Sequence, residues 1–415
     1  MTQTMTAPFN RNADLFSRSP EADVREHSPT SADRPMRIAV VGGRGIPSTY
    51  SGVETIVDNL FAYFAAAGHD VTVYCRPGVL DEPIASYRGM RLVRTPTIRG
   101  KLETVSHTAF SCLHAVRHGN GQGERFDLIS FHAIPPNVAQ KIPAFASVPT
   151  ISHVHGLDHQ REKWRGLGAQ IILQGEREMV KYAAQVVTVN KSLVKYYRDR
   201  YGIDAALLPN GIHPVSDDFK PDRATLDKFG LEPGQFIVMI SRLVPEKRHG
   251  DAIAAFAKVN TDCKLVIVGE GNQSDGYVDS IKRQAAGDAR VVFTGLQTGE
   301  ALQTLFRCAK LYVTASELEG LPSSLLECME RRVCAIVSDI PPHAEVMEGV
   351  AGYDLGFKVG DVDGLGRSIE RALANEGHAI TLAYRMRTHV RRHYSWPTLA
   401  AATEKLYREV LTRSA

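Results

Sequence analysis

Apolar residues in this chain come in short runs that alternate with stretches of helical periodicity. Residues 37–41 form a buried-strand pattern, followed by the turn Gly42-Gly43-Arg44-Gly45-Ile46-Pro47. Apolar positions then recur at helical spacing over 53–67, Gly68 ends that helix, and 70–75 returns as a strand. This is one βαβ unit, and further strand patterns lie at 127–131, 150–154 and 185–189. The same rhythm begins again after Pro209-Asn210-Gly211-Ile212, with strands expected at 236–240, 264–268, 290–293, 310–315 and 334–338. Regular alternation of strand and helix predicts an α/β fold with mostly parallel sheets covered on both faces. Its recurrence predicts two Rossmann-like domains facing a central cleft, the default place for a ligand.

A polar linker with Pro214 and Pro221 separates the two halves. The expected divisions are a tail at 1–35, a first domain at 36–213, a second domain at 214–390 and a closing segment at 391–415. That segment opens with His393-Tyr394-Ser395-Trp396-Pro397 and continues as an amphipathic helix. Its apolar positions Leu399, Leu406, Tyr407 and Val410 form a stripe that needs a partner. The turn at Asn210-Gly211 suggests a residue with positive φ and a structural role.

Composition narrows the function. The 415 residues are 43% hydrophobic and 23% charged, ordinary for a soluble globular chain of two or three domains. A net charge of only +3 offers no bulk electrostatic argument for nucleic acid. The six cysteines (Cys75, Cys112, Cys263, Cys308, Cys328 and Cys334) form no Cys-x-x-Cys pair, and read as buried thiols of a reducing compartment. No apolar run reaches membrane-spanning length. The first 35 residues are rich in Ser, Pro, Asp and Arg without an apolar core, which predicts a disordered tail rather than a signal peptide, and a cytoplasmic protein.

The strongest candidate chemistry is Ser316-Glu317-Leu318-Glu319-Gly320-Leu321-Pro322-Ser323-Ser324-Leu325-Leu326-Glu327. Glu319 falls in the loop after a strand, and Glu327 falls inside the next helix, with Pro322 in its first turn. Strand C-terminal ends are where open α/β sheets bind ligands. The bland alternatives are a solvated Glu319 and a Glu327 paired with Arg331 at i, i+4. Arg242 and Lys247, in Ser241-Arg242-Leu243-Val244-Pro245-Glu246-Lys247, follow the second half's first strand near a helix start. There a guanidinium fork, an ammonium and free N–H groups suit a diphosphate. They also suit a solvated basic turn.

Two other segments stay open. The loop with Gly42, Gly43 and Gly45 lacks a full Gly-x-Gly-x-x-Gly, and the next strand ends in Arg76 rather than an acid, so it is a poor dinucleotide fingerprint. His153-Val154-His155-Gly156-Leu157-Asp158-His159 places His153 and His155 on one strand face. This segment reads as a cleft histidine, as a hydrogen-bonded core histidine, or as a metal site of a hydrolase with one residue too many before Asp158. The basic stretches at 160–164 and at Arg94, Arg99 and Lys101 suit either solvent or lipid phosphates.

Taken in order, these motifs resemble the retaining glycosyltransferases of family 4, which have the GT-B fold. The resemblance rests on Tyr50-Ser51-Gly52-Val53-Glu54, His155-Gly156, Pro209-Asn210-Gly211-Ile212, Arg242 with Lys247, Leu265 to Gly271, Phe293-Thr294-Gly295, and Glu319 with Glu327. It implies that Arg242 and Lys247 bind the donor diphosphate, Glu319 the donor sugar and Glu327 the ribose. It places Gly42, Gly43, Gly45, Gly320, Leu321 and Pro322 about the donor, Leu296 where the base stacks, Gly52 and Glu54 on the acceptor side, and His155 on a phosphate or sugar hydroxyl. It implies a closing helix that crosses back to the first domain. It also implies a nucleotide-diphosphate sugar donor with no other cofactor and no metal, and a glycan or polyprenol-linked acceptor. Bacterial surface or exopolysaccharide synthesis follows, with peripheral contact at the inner face of the cell membrane. Departures are Ser51 and Arg332, each in a place where the family has glycine. Other classes to separate are a metal-dependent hydrolase using His153 to His159, a nucleotide-sugar epimerase, and a sugar-nucleotide-binding protein without catalysis.

Overall fold

The computed structural model describes residues 34–47, 52–79, 84–100, 102–157, 167–271 and 276–414. All but the last two residues of the expected tail, as well as Tyr50, Ser51, Lys101 and the stretch from Asp158 to Trp164, lie outside the described residues.

The first half runs β1 (Arg37–Val41), α1 (Gly52–Ala66), β2 (Asp70–Cys75), β3 (Ser86–Tyr87), β4 (Met90–Arg94), α2 (Glu103–His118), β5 (Leu128–His132), α3 (Lys141–Phe145), β6 (Thr150–Val154), α4 (Leu167–Tyr182), β7 (Gln185–Thr188), α5 (Lys191–Tyr201) and β8 (Ala206–Leu207). Its eight strands lie in the order β3-β4-β2-β1-β5-β6-β7-β8. All pairings are parallel except that of β3 with β4. β5 and β6 are buried along their whole length, as expected where helices cover both faces. The sequence pattern missed β3, β4 and β8. β3 and β8 are two-residue strands at the sheet edges, and β4, paired between β3 and β2, is half-exposed with no continuous apolar run.

The second half runs α6 (Arg223–Lys228), β9 (Phe236–Ile240), α7 (His249–Phe256), β10 (Lys264–Val268), α8 (Tyr277–Ala285), β11 (Val291–Gly295), α9 (Gly299–Cys308), β12 (Leu311–Thr314), α10 (Ser323–Glu330), β13 (Cys334–Val337), α11 (Pro341–Met347), α12 (Val362–Ala374), α13 (Glu376–His393) and α14 (Trp396–Ser414). Its five strands are all parallel, in the order β11-β10-β9-β12-β13.

The closing helix crosses back to the first domain. Trp396, Ala400, Tyr407 and Val410 of α14 share one core with Ile38, Val40, Phe61 and Phe64. Full burial of one such aromatic contributes roughly 1.5–3 kcal/mol. The turn before it works differently from the sequence expectation. Gly211 is not at positive φ. A Cβ there would come within 2.6 Å of the Trp396 ring, so the glycine serves close packing of α14. The junction is tied by Ile212 N donating to Tyr394 O (2.7 Å). No helix among the described residues is long and apolar enough to cross a membrane.

Candidate active site in the interdomain cleft

The C-terminal end of β9 leads into the turn that carries Arg242 and Lys247, just ahead of α7. The C-terminal end of β12 leads into Glu319. Since β9 and β12 are parallel neighbours, both loops emerge on the same edge. There Arg242, Glu246, Lys247, Leu318, Glu319 and Gly320 line one pocket with Gly156 and Leu157 of the first half.

Lys247 Nζ pairs with Glu319 Oε1, with both side chains only 12–13% exposed. Burial pushes the Glu319 carboxyl up. The Lys247 ammonium, helped by His343 and hydrogen bonds, outweighs that and holds it below its ordinary value. Glu319 is therefore ionised at neutral pH. Arg242 is exposed and, among the described residues, has no ion-pair partner. The pocket thus offers a guanidinium free to take an anion and a carboxylate already fixed by an ammonium.

The opposite wall carries three imidazoles, two of them held neutral. His132, at the end of β5, and His153 and His155, at the end of β6, stack with ring centroids 4.7 Å (His132–His153) and 5.5 Å (His132–His155) apart. Burial pushes His153 down to about 3 and His132 well below its ordinary value, with the neighbouring rings adding to both shifts. His153 Nε2 is engaged with the Tyr407 hydroxyl at 2.8 Å, and His132 Nδ1 lies 3.3 Å from His155 Nε2. These nitrogens are occupied by one another and by Tyr407, which argues against the metal-hydrolase reading.

The walls touch through Gly320. A Cβ there would overlap the His155 carbonyl oxygen, while Asn190 Nδ2 donates to Gly320 O (2.7 Å). Asn190 also caps α5, accepting from Leu193 N at 2.8 Å. Beside it, Lys191 N donates to Glu345 Oε2 (2.7 Å).

The structure places the other expected site residues as follows. The Gly320 backbone packs on His155, and Leu321 packs against the apolar cores of both halves. Pro322 stands at the N-cap of α10, one position before the first turn. Glu327, on α10, does not line the pocket. It lies 3.6 Å from Arg331, and burial pushes its carboxyl up against the pull of that guanidinium. The i, i+4 pair foreseen as the bland alternative is thus present, though long. Leu296 follows β11 and is 37% exposed; it is not among the residues that line this pocket.

The glycine loop after β1 packs closely on its own domain. A Cβ on Gly42 would come within 2.5 Å of His132 O, and one on Gly45 within 2.8 Å of the Cys75 Cβ. Gly43 is half-buried, 3.6 Å from Glu54 Oε1 by the same construction. Glu54 is 5% exposed and accepts from Arg44 N at 2.7 Å, so its carboxylate braces this loop from inside. Its Oε2 is buried with no hydrogen-bond partner among the described residues. Gly52, the first residue of α1, is exposed.

Arg332 adopts φ 58°, the left-handed conformation its place demanded. Its guanidinium bonds Asp217 at 2.7 Å and lies over the Tyr384 ring at 5.3 Å.

The sequence reading missed Asn190 and His343. An Asn before an apolar-periodic stretch signals a helix cap but carries no hint of a second bond across a cleft. His343 is fully buried on α11, with Nδ1 3.0 Å from Ser338 O. Burial pushes it down to about 4, although the Glu319 carboxylate pulls the other way.

Two family models match, almost end to end. The one described as Glycosyltransferase Family 4 covers residues 50–215, and the one described as Glycosyl transferases group 1 covers 223–391. The chain belongs to the family 4 glycosyltransferases. It is 24% identical over 400 residues to a glycogen synthase of Mycobacterium tuberculosis, covering 90% of this chain and 94% of that one. Among solved structures, Anabaena HepE in complex with UDP and glucose superposes with a TM-score of 0.73 at 16% identity, covering 90% of this chain and all (100%) of that one. Sucrose-phosphate synthase of Thermosynechococcus elongatus gives 0.74 at 21%, covering 91% and 100%. The fold is GT-B, and the protein is a glycosyltransferase.

Proposed function

We propose that this glycosyltransferase moves a hexose or deoxyhexose from a nucleotide-diphosphate sugar to a hydroxyl of a glycan or lipid-linked glycan, with retention and without a metal ion, in bacterial surface or exopolysaccharide synthesis. The observation that carries this reading is the pocket where exposed Arg242 and the Lys247–Glu319 pair meet the first domain's Gly156. In the reaction the bond from the sugar C1 to the diphosphate oxygen breaks, a bond from C1 to the acceptor oxygen forms, and the acceptor proton leaves with phosphate or solvent. Arg242 and Lys247 take up the negative charge that grows on the diphosphate, a role otherwise given to a metal. Glu319, ionised and fixed, accepts hydrogen bonds from donor sugar hydroxyls, and the sugar passes through an oxocarbenium-like state. Retention follows either from same-face departure, with phosphate taking the acceptor proton, or from a covalent intermediate. UDP is the first base to test, because it is bound in HepE.

Calorimetric titration with UDP, GDP, dTDP and NAD in EDTA tests this reading. Binding of one nucleoside diphosphate, weakened in Arg242→Ala, is expected. Binding of NAD alone, or of nothing until zinc is restored, would overturn it. Conversion of the donor without acceptor would assign an epimerase instead.

We also propose that the acceptor is met at an anionic membrane surface. Large apolar side chains stand exposed at Ile98, Leu102, Phe110, Leu113 and Phe145, the last 85% exposed. Residues 84–148 around them carry eight Lys/Arg and three Asp/Glu, a net +5 against +3 for the whole chain. Apolar anchors among cations suit anionic lipid. Flotation with anionic vesicles should retain the protein, and a Phe145→Ser, Arg99→Glu variant should be released. Equal retention of both would remove this face from consideration.

A further inference from the structure

A chain of buried hydrogen bonds runs from the closing helix to the cleft. Tyr407 Oη lies 2.8 Å from His153 Nε2 and 2.7 Å from Ser130 Oγ. Ser130 Oγ lies 3.1 Å from His132 Nε2, and His132 Nδ1 lies 3.3 Å from His155 Nε2. Ser130, His132 and Tyr407 are fully buried, and His153 is 5% exposed.

Each hydroxyl has one proton to donate, and each neutral imidazole has one N–H and one acceptor nitrogen. His132 and His153 are neutral, since burial holds both far below their ordinary values. With one proton on the His155 ring, only two proton arrangements satisfy every link, and they run in opposite directions. A phenol is a stronger donor than an alkyl hydroxyl, and an imidazole nitrogen is a stronger acceptor than a hydroxyl oxygen. Tyr407 therefore donates to His153. Its oxygen accepts from Ser130, Ser130 accepts from His132 Nε2–H, and His132 Nδ1 accepts from His155 Nε2–H. The tautomer of a histidine is set by the bond its ring nitrogen makes, so the chain's far end decides which nitrogen of His155 carries the proton.

We propose that Tyr407 is a positioning residue: from the returning helix, through Ser130 and His132, it holds His155 as the Nε2–H tautomer, with Nδ1 as the acceptor. A helix that only packs would bury a phenylalanine as well. The significance of His155 for catalysis rests on the function proposed above, but its tautomer does not.

The test is a two-bond nitrogen–proton NMR correlation on the full chain labelled with 15N-histidine, with His132 and His155 assigned from His132→Gln and His155→Gln. In the native protein both rings should carry the proton on Nε2. In Tyr407→Phe the Ser130 hydroxyl is released to donate to His132 Nε2, so both rings should reverse to Nδ1–H. Ser130→Ala cuts the chain in the middle and should leave His155 with both tautomers, which keeps the test open if Tyr407→Phe fails to fold. A native His155 protonated on Nδ1, or a His155 tautomer unchanged in the folded variant, would overturn the proposal. UDP titration of the same samples separates a failure of the nucleotide site, which leaves these spectra unaffected.

Discussion

The two walls of the cleft are built on the same plan and carry opposite chemistry. Each is the C-terminal edge of a parallel sheet. The second domain places a guanidinium, an ammonium and an ionised carboxylate there. The first places three stacked imidazoles, two of them buried and held neutral. The contrast teaches that charge is concentrated on the wall proposed to meet the diphosphate and donor sugar, while the opposite wall offers neutral hydrogen bonding from His132 and His153. A neutral wall adds no further charge to be desolvated when a ligand fills the cleft.

The hardest way to break this contrast is to remove the charged wall. Arg242→Ala or Lys247→Ala should each lower turnover by about two to three orders of magnitude, the roughly 2.7–4 kcal/mol typical of one lost donor to developing charge. Steady-state kinetics with melting curves check this, and near-normal turnover would end the assignment. Lys247→Ala should also unfold more easily, because it strands Glu319 in a site where burial pushes the carboxyl up.

Next comes the neutrality of the other wall. A histidine whose folded pKa is depressed favours the unfolded chain as acid is added, since the unfolded state binds the extra proton. For His153, lowered to about 3, the contribution is intact above its unfolded value near 6.5 and is lost as pH falls below it. At pH 5 that one ring should cost about 2 kcal/mol. His153→Asn should flatten the fall of melting temperature between pH 6.5 and 4; an unchanged slope would mean that the ring titrates freely.

The contact between the walls is a smaller lever. Gly320→Ala must move the His155 carbonyl or the loop, at a cost of about 1–3 kcal/mol for overpacking. It should loosen the two halves and raise the nucleotide concentration needed for half-saturation. If thermal stability and UDP affinity both stay native, the close approach does not persist in solution. Smallest is Arg332→Gly. It relieves a left-handed side chain worth about 1 kcal/mol but gives up an exposed ion pair with Asp217 worth about 0.2–1 kcal/mol. The net change in unfolding free energy should stay within about 0.5 kcal/mol, measurable by urea titration.

The fold was legible because its signals are local. The runs at 37–41, 150–154 and 236–240 coincide with β1, β6 and β9; in β1 and β9 the signal is a nearly continuous apolar run, as strands buried on both faces require, while β6 keeps Ile151 and Val154 between buried polar residues. β4 escaped because its residues are mostly half-exposed and interrupted by arginines, so it carries no such run. At the site, the loops of Arg242, Lys247 and Glu319 could be foreseen, because a loop at the end of a parallel strand faces the cleft whatever its neighbours do.

By itself the sequence determined the two α/β repeats, the returning apolar helix and the residue types of the charged loops, all consequences of periodicity and chain order. Only the tertiary structure decided that Lys247 closes on Glu319, that Glu54 turns inward to brace its loop, that Asn190 caps a helix and grips Gly320 at once, and that Tyr407 meets Ser130 some 277 residues away. Such pairings depend on which side chains two separately folded surfaces bring within about 3 Å of each other, and no spacing along the chain encodes that distance.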